Sequence, residues 1–235
     1  MSDIRKHILR KFMYNESLRF NEILDKAFPS NKFDYHLKLL QKENLVVKND
    51  DKYCLTSKGV QVISSMDGVV IEEKRKPITC VFVLGYDEVN DLILVNKRKK
   101  QPFMNFVGIP GGKVEYGHSL PRQAREEFFE ETGLSAENVE LKLVTNYRTV
   151  DEDSGELTHH VVGFFFLATG LSGDLVKENR EGHNVFIKLS DASSLEKYPD
   201  FDFFTEVLLS DNKNIVFQEA DRYVKDGKFT KIDFL

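Results

Sequence analysis

The first 68 residues carry their apolar side chains at helical spacing, in three stretches separated by polar turns. Ile4, Ile8, Leu9 and Phe12 fall on one face of a helix expected over 3–14, with Ser2 placed to cap it. Phe20, Ile23, Leu24 and Phe28 point inward from a second helix over about 20–28. Phe33, Leu37 and Leu40 form the stripe of a third over 31–43, with Ser30 as its cap. The period then changes. Leu45-Val46-Val47 and Tyr53-Cys54-Leu55 flank Asn49-Asp50-Asp51, the mark of a β-hairpin, and a last helix runs from Thr56 or Ser57 to about Met66.

Past a linker at 69–76 the pattern is one of strands with helices between them. Apolar runs at 78–86 and 92–97 read as strands, as do 139–150 and 158–168, which an acidic loop at 151–156 joins. A further strand is expected at 186–189, a helix over about 200–209, and a terminal hairpin turning at Asp226-Gly227. Phe164, Phe165 and Phe166 read as core, and His183 as polar loop surface. His159 and His160 are strand neighbours, so they face opposite ways and lack metal-ligand spacing. The expected organisation is a domain at 1–68 and a second at 77–235.

Composition adds bounds. A chain of 235 residues has room for two small domains, and its 41% hydrophobic content supports a core in each. Neither an 18-residue apolar run nor a signal-peptide core is present, so a cytoplasmic protein without a membrane partner is expected. Cys54 and Cys80 form no metal or redox motif and read as reduced thiols in different domains. The net charge of −5 hides an asymmetry: residues 1–68 carry twelve Lys or Arg against nine Asp or Glu, which leaves the remainder strongly acidic.

Chemistry concentrates in 111–134, GGKVEYGHSLPRQAREEFFEETGL. Glu127, Glu130 and Glu131 fall at i, i+3 and i+4, which on a helix sets three carboxylates on one face. Carboxylates that close repel unless a cation sits among them. Oxygen-only ligands suit a hard divalent ion such as Mg²⁺, which keeps waters and bridges to phosphates. The preceding Gly111-Gly112 lets backbone approach a ligand closely. Together they point to metal-assisted attack on a phosphate anhydride.

These residues resemble the signature of the Nudix hydrolases, G-x5-E-x7-R-E-U-x-E-E-x-G-U, where U is a bulky apolar residue. Gly112 stands at the first glycine, Glu127, Glu130 and Glu131 at the catalytic-helix glutamates, Phe128 and Leu134 at the U positions and Gly133 at the last glycine. Phe106-Val107-Gly108-Ile109-Pro110 leads in as that family's aromatic-x-x-aliphatic-Pro segment does. The resemblance covers about 76–210 and implies a mixed-sheet α/β/α sandwich. It implies Mg²⁺, or Mn²⁺ in its place, held by Gly112, Glu127, Glu130 and Glu131. It also implies a nucleotide-type substrate whose phosphates meet Arg98, Gly111 and Gly112. Glu181, ahead of a strand, matches a place where family members carry another ligand or a general base, with Glu178 as its competitor.

Two positions depart from the signature: His118 replaces its first glutamate and Glu126 its arginine. In the family these two support each other as an ion pair. Here the polarity is reversed, so a His118–Glu126 pair is the expectation. Arg125, one position early, points about 100° away around the helix. Glu126 is also expected to raise the pKa of its carboxylate neighbours.

Three helices, a hairpin and a helix is the order of a winged helix-turn-helix domain. The stretch FDYHLKLLQKENLVVKNDDKYCLTSKG resembles that family's third helix, wing and following helix. The resemblance implies double-stranded DNA or a second protomer as partner, giving a homodimer. Asn31, Lys32, Tyr35, Lys38 and Lys42 would lie on the groove-facing side of the third helix, and Lys48, Lys52 and Lys58 on or near the wing.

Overall fold

The computed structural model describes residues 2–64, 76–100 and 103–235. The end expected for the fourth helix and all but the last residue of the expected linker lie outside the described residues. The chain divides into two compact units, Met1–Lys74 and Arg75–Leu235.

In the first unit, α1 (Asp3–Lys11), β1 (Ser17–Arg19), α2 (Phe20–Ile23), α3 (Ser30–Lys42), β2 (Val46–Asn49), β3 (Lys52–Leu55) and α4 (Ser57–Ser64) follow in order. The apolar stripes bury as their spacing demands. Ile8, Leu9, Ile23, Phe33, Leu37 and Leu40 are fully covered in one core that also takes in Leu45, Val46 and Tyr53. The strands form an antiparallel sheet in the order β1-β3-β2. β1 was not expected, because three residues with one buried side chain, Leu18, are too short for alternation to register. Two helices are shorter than expected, α1 ending at Lys11 rather than near 14, and α2 well before 28. α2 stops at Ile23, and Asp25 then accepts the Ala27 N–H at 2.9 Å, a side-chain turn that competes with helix continuation. Ser2 makes no side-chain capping bond, and Ser30 is the first helical residue of α3 with Pro29 at the cap.

The second unit runs β4 (Ile78–Asp87), β5 (Leu92–Arg98), β6 (Val107–Gly108), β7 (Gly111–Lys113), α5 (Leu120–Thr132), β8 (Leu134–Asp151), β9 (Leu157–Gly173), β10 (Gly182–Ile187), a 3-10 turn (Leu189–Ser194), α6 (Phe201–Leu209), β11 (Val216–Lys225) and β12 (Lys228–Phe234). One sheet takes them in the order β10-β5-β4-β9-β8-β11-β12, with β6 on β5 and β7 on β4. β4–β9 and β8–β11 are parallel pairs and the rest antiparallel, so the sheet is mixed.

Alternation along the strands supplies both faces. Val81, Val83, Leu94, Phe166 and Ala168 pack against Ala124 and Phe128 of α5. Leu84, Ile93, Val95, Leu143 and Phe165 pack against Phe201, Phe204 and Leu208 of α6. The result is a sandwich with helices on both faces of the sheet. Phe128, almost fully buried, is the main anchor of α5, and truncation to Ala would cost about 3–5 kcal/mol. The strand expected at 186–189 lies earlier, at Gly182–Ile187, which puts His183 on a strand, still exposed. The terminal hairpin turns where expected, through Asp226 (φ 50°) and Gly227 (φ 76°), the two left-handed residues a two-residue hairpin loop needs.

Candidate active site

β7 brings the two glycines to α5 by pairing with β4, Gly112 opposite Val81 and Gly111 opposite Phe82. The Glu127 carboxylate lies directly over Gly112, so closely that a Cβ there would overlap it. A side chain at 112 would push that carboxylate aside, so glycine is what lets it settle there. One helical turn further on, Glu131 Oε2 accepts a long hydrogen bond from the Gly111 N–H at 3.4 Å. Glu130 is exposed. Thus Glu127 and Glu131 face the glycines, and Glu130 flanks them from solvent.

Burial pushes the Glu131 carboxyl up to about 7; the Gly111 N–H, Lys100 and Arg98 draw it down, and the Glu127 charge adds to the rise. Burial also raises Glu127, against a hydrogen bond from Gln123 and with the charges of Glu130 and Glu115 adding to it. Glu126 is not a leading cause of either shift, where crowding on the helix had suggested it would be. Its own carboxyl is held low by the hydrogen bond from Arg122 and, less strongly, by His118.

A basic patch faces the carboxylates. Lys100 lies within electrostatic reach of Glu131 and Glu127 and forms an ion pair with Glu181. Arg98 donates from Nε to the Lys100 carbonyl at 3.1 Å. Lys99 holds Glu178 at 2.7 Å. Of the two competing acids, Glu181 is therefore the one that shares a lysine with the catalytic-helix glutamates.

Among the described residues, no three His, Cys, Asp or Glu side chains are arranged to hold a metal ion as they stand. The expected set of Gly112, Glu127, Glu130, Glu131 and Glu181 is not preassembled around one point. Lys100 pairs with Glu181. The donor chemistry nonetheless fits a hard divalent cation: oxygen ligands only, beside a backbone position that a Cβ would fill.

The loop between β7 and α5 is tied down by a network. His118 Nδ1 stands 3.1 Å from Glu126 Oε2, and Arg122 Nε donates to Oε1 of the same carboxylate at 2.8 Å. The reversed pair is in place, with an arginine one turn earlier on the helix completing it. Gln123, which sequence reasoning missed, is buried at the centre. Its Oε1 accepts from the Glu115 N–H at 3.1 Å and lies 3.0 Å from His118 Nδ1, and its Nε2 donates to Glu127 at 3.1 Å. Arg125 turns away, as expected, to donate to the Ala136 carbonyl at 2.6 Å.

The far end of α5 is held by asparagines. Asn179 and Asn184 both donate to the Glu131 carbonyl at 2.7 Å, and Asn184 donates to Val176 at 2.9 Å. Asn96 donates to Asn184 Oδ1 at 2.7 Å. Gly133, with φ 73°, ends the helix in the left-handed region. These residues were also missed. The available signal was a polar residue at an inward strand position, since Gly182 and Asn184 alternate inward on β10.

His159 and His160 lie on β9, away from this network. His160 Nε2 is 2.7 Å from Asn146 Oδ1, and His159 packs 5.5 Å from the Phe103 ring centroid. In the first unit Lys32, Tyr35, Lys38 and Lys42 are exposed on α3 opposite its buried stripe, and Lys48 and Lys52 are exposed on the hairpin. Asp34 holds Lys38 at 2.7 Å, and Lys48 lies 5.6 Å from the Tyr53 ring centroid.

A mixed sheet lies between helices, with acidic side chains of one helix facing a diglycine strand. The chain belongs to the Nudix family: the model of the NUDIX domain matches residues 74–206, more than half of the chain. An ADP-ribose pyrophosphatase of Methanocaldococcus jannaschii is 35% identical over 95 residues, 40% of this chain and 53% of that protein. A Nudix hydrolase of Bacillus subtilis is 31% identical over 90 residues, 38% of this chain and 56% of that protein. The chain thus spans a little over half the length of these relatives. The crystal structure of a MutT protein from Bacillus halodurans superposes with a TM-score of 0.54 at 25% identity, covering 67% of this chain and 97% of that one.

Proposed function

We propose that the protein is a Mg²⁺-dependent Nudix pyrophosphohydrolase cleaving the diphosphate of a nucleoside diphosphate linked to another moiety. We further propose that its first unit is a winged helix-turn-helix module that binds DNA or dimerises. The observation that carries the enzymatic reading is the Glu127 carboxylate seated on Gly112, with Glu131 against Gly111 and Lys100 across from both. Acids that can gather a cation, and cations that can meet phosphate, face each other across one loop.

Glu127, Glu130 and Glu131, with the Gly112 carbonyl, would hold the cation, and Glu181 would join them on release from Lys100. When bound, the cation supplies neutralisation of charge on the diphosphate and acidification of a water. Arg98 and Lys100 orient the phosphates. One glutamate of the set Glu127, Glu130 and Glu131, or Glu181 once free of Lys100, would accept the water's proton.

ADP-ribose is the first substrate to try, since one relative carries that activity in its name. Wild type and Glu131→Gln are to be assayed with Mg²⁺ against ADP-ribose, dinucleotides, sugar nucleotides and nucleoside triphosphates. Turnover of one compound, reduced about 10²–10⁴-fold in the variant, is the expected result. No turnover across the panel overturns the enzymatic reading.

A second reading, a regulator that senses a nucleotide through a slow Nudix site, draws on the replaced His118 and Glu126. It requires tight binding of one panel member without hydrolysis. For the DNA-binding form of the first unit, Lys52→Glu on the wing should weaken duplex binding about equally across sequences and flatten its salt dependence.

A further inference from the structure

We propose that Gln123 is a positioning residue: it fixes the Glu127 carboxylate over Gly112 and fastens it to the loop that carries Glu115 and His118. The proposal rests on the reading of Glu127 as a metal ligand. It gives a role to a residue at one of the unspecified positions of the Nudix signature.

The hydrogen bonds themselves set the orientation of the Gln123 amide. The backbone N–H of Glu115 can only donate, and the Glu127 carboxylate can only accept. Oε1 must therefore face Glu115, at 3.1 Å, and Nε2 must face Glu127, also at 3.1 Å. A flipped amide would set donor against donor at one end and oxygen against carboxylate at the other. With Oε1 fixed, the proton shared with His118, 3.0 Å away, belongs on the histidine Nδ1, which also lies 3.1 Å from Glu126 Oε2. The side chain uses three of its four hydrogen-bonding sites in this way, and at 3% exposure little of it meets water.

Two constraints then bear on the Glu127 carboxylate. Gly112 leaves the space into which it settles, and the Gln123 N–H holds it there. Because the same amide accepts from the loop backbone, loop and carboxylate move together. A displacement at His118 or Glu115 reaches Glu127 through one rigid planar group. Outer partners of a ligand carboxylate commonly change metal affinity by 10–100-fold when removed.

The test uses the full chain and Mn²⁺ alone as the probe, titrated by electron paramagnetic resonance. Gln123→Met keeps the side chain's length and removes its polar atoms. It should weaken Mn²⁺ binding about tenfold or more while the protein stays folded by circular dichroism. In a Glu127→Ala background the same substitution should have no further effect, since the acceptor it holds is gone. Unchanged Mn²⁺ affinity in Gln123→Met overturns the proposal. So does an equal loss in both backgrounds, which would place the effect elsewhere. Wild-type protein that binds no Mn²⁺ overturns the metal-site reading beneath it, an outcome distinct from the other two. Should Gln123→Met not fold, Gln123→Asn, which keeps the amide but falls short of its partners, takes the same two measurements with the same expected results.

Discussion

The two ends of α5 are fastened by different chemistry. At the C-terminal end, neutral amides do the holding: Asn179 and Asn184 converge on one carbonyl, and Asn96 backs Asn184 from the next strand, with Asn96 and Asn184 buried. At the N-terminal end, His118, Arg122 and Glu126 form a charged group that water reaches, with Gln123 as its only buried member. Neutral buried bonds are indifferent to salt and, over a wide range, to pH. Charged, half-exposed ones are weaker and depend on both. Helix α5 therefore has a firm end, where Glu131 sits, and an adjustable end, from which Glu127 is reached through the loop.

The firm end should break hardest. Asn184→Leu leaves the Val176 carbonyl without this donor and the Asn96 amide without its acceptor, and takes from the Glu131 carbonyl one of the two side-chain donors it shares with Asn179. With about 1–3 kcal/mol for each orphaned group, stability should fall by about 3 kcal/mol or more, read as a lower urea midpoint at both low and high salt.

Next comes Glu131 itself. Its folded pKa of about 7 lies above the ordinary 4.5, so between those values the folded protein holds a proton that the unfolded chain has lost. Without divalent metal, stability should therefore be greatest below pH 4.5, as far as this group is concerned, and decline as pH rises to about 7. Glu131→Gln should flatten that slope in urea melts taken across the window. A slope unchanged by the substitution would show that burial at Glu131 is not felt in solution.

The adjustable end should give the smallest effect. A double-mutant cycle on His118→Ala and Glu126→Ala should yield a small favourable coupling at low salt that fades as salt is added. A coupling of zero at low salt would reduce the contact to coincidence and leave Gln123 and Arg122 to hold the loop.

How much of this was legible in the sequence follows from how each signal is encoded. Phe33, Leu37 and Leu40, or Val81 and Val83, announce themselves by period, because burial on one face requires it. The carboxylates announced themselves by spacing, since a shared helix face fixes i, i+3 and i+4. What stayed hidden were contacts between residues distant in sequence. Asn96 and Asn184 meet only because β10 pairs with β5, and neither carries a local mark of that meeting. Gln123 looked like one more polar residue on an acidic helix. Charge crowding was also misjudged: proximity of Glu126 in sequence suggested repulsion, whereas Arg122 and His118 take that carboxylate away from the others.

The parallel pairing of β11 with β8, from Val216 opposite Leu143 to Val224 opposite Asp151, has a consequence in time as well as in space. The Nudix match ends at 206, before β11 begins. On the ribosome, β8 is finished long before the strand that covers its outer edge is made. Through that interval the nascent chain presents a row of unpaired backbone groups, the kind of edge on which neighbouring chains can add. A stop placed near residue 210 would make that interval permanent. The shortened product would retain the glutamates and glycines of the site, yet it should be lost to aggregation before they could be assayed.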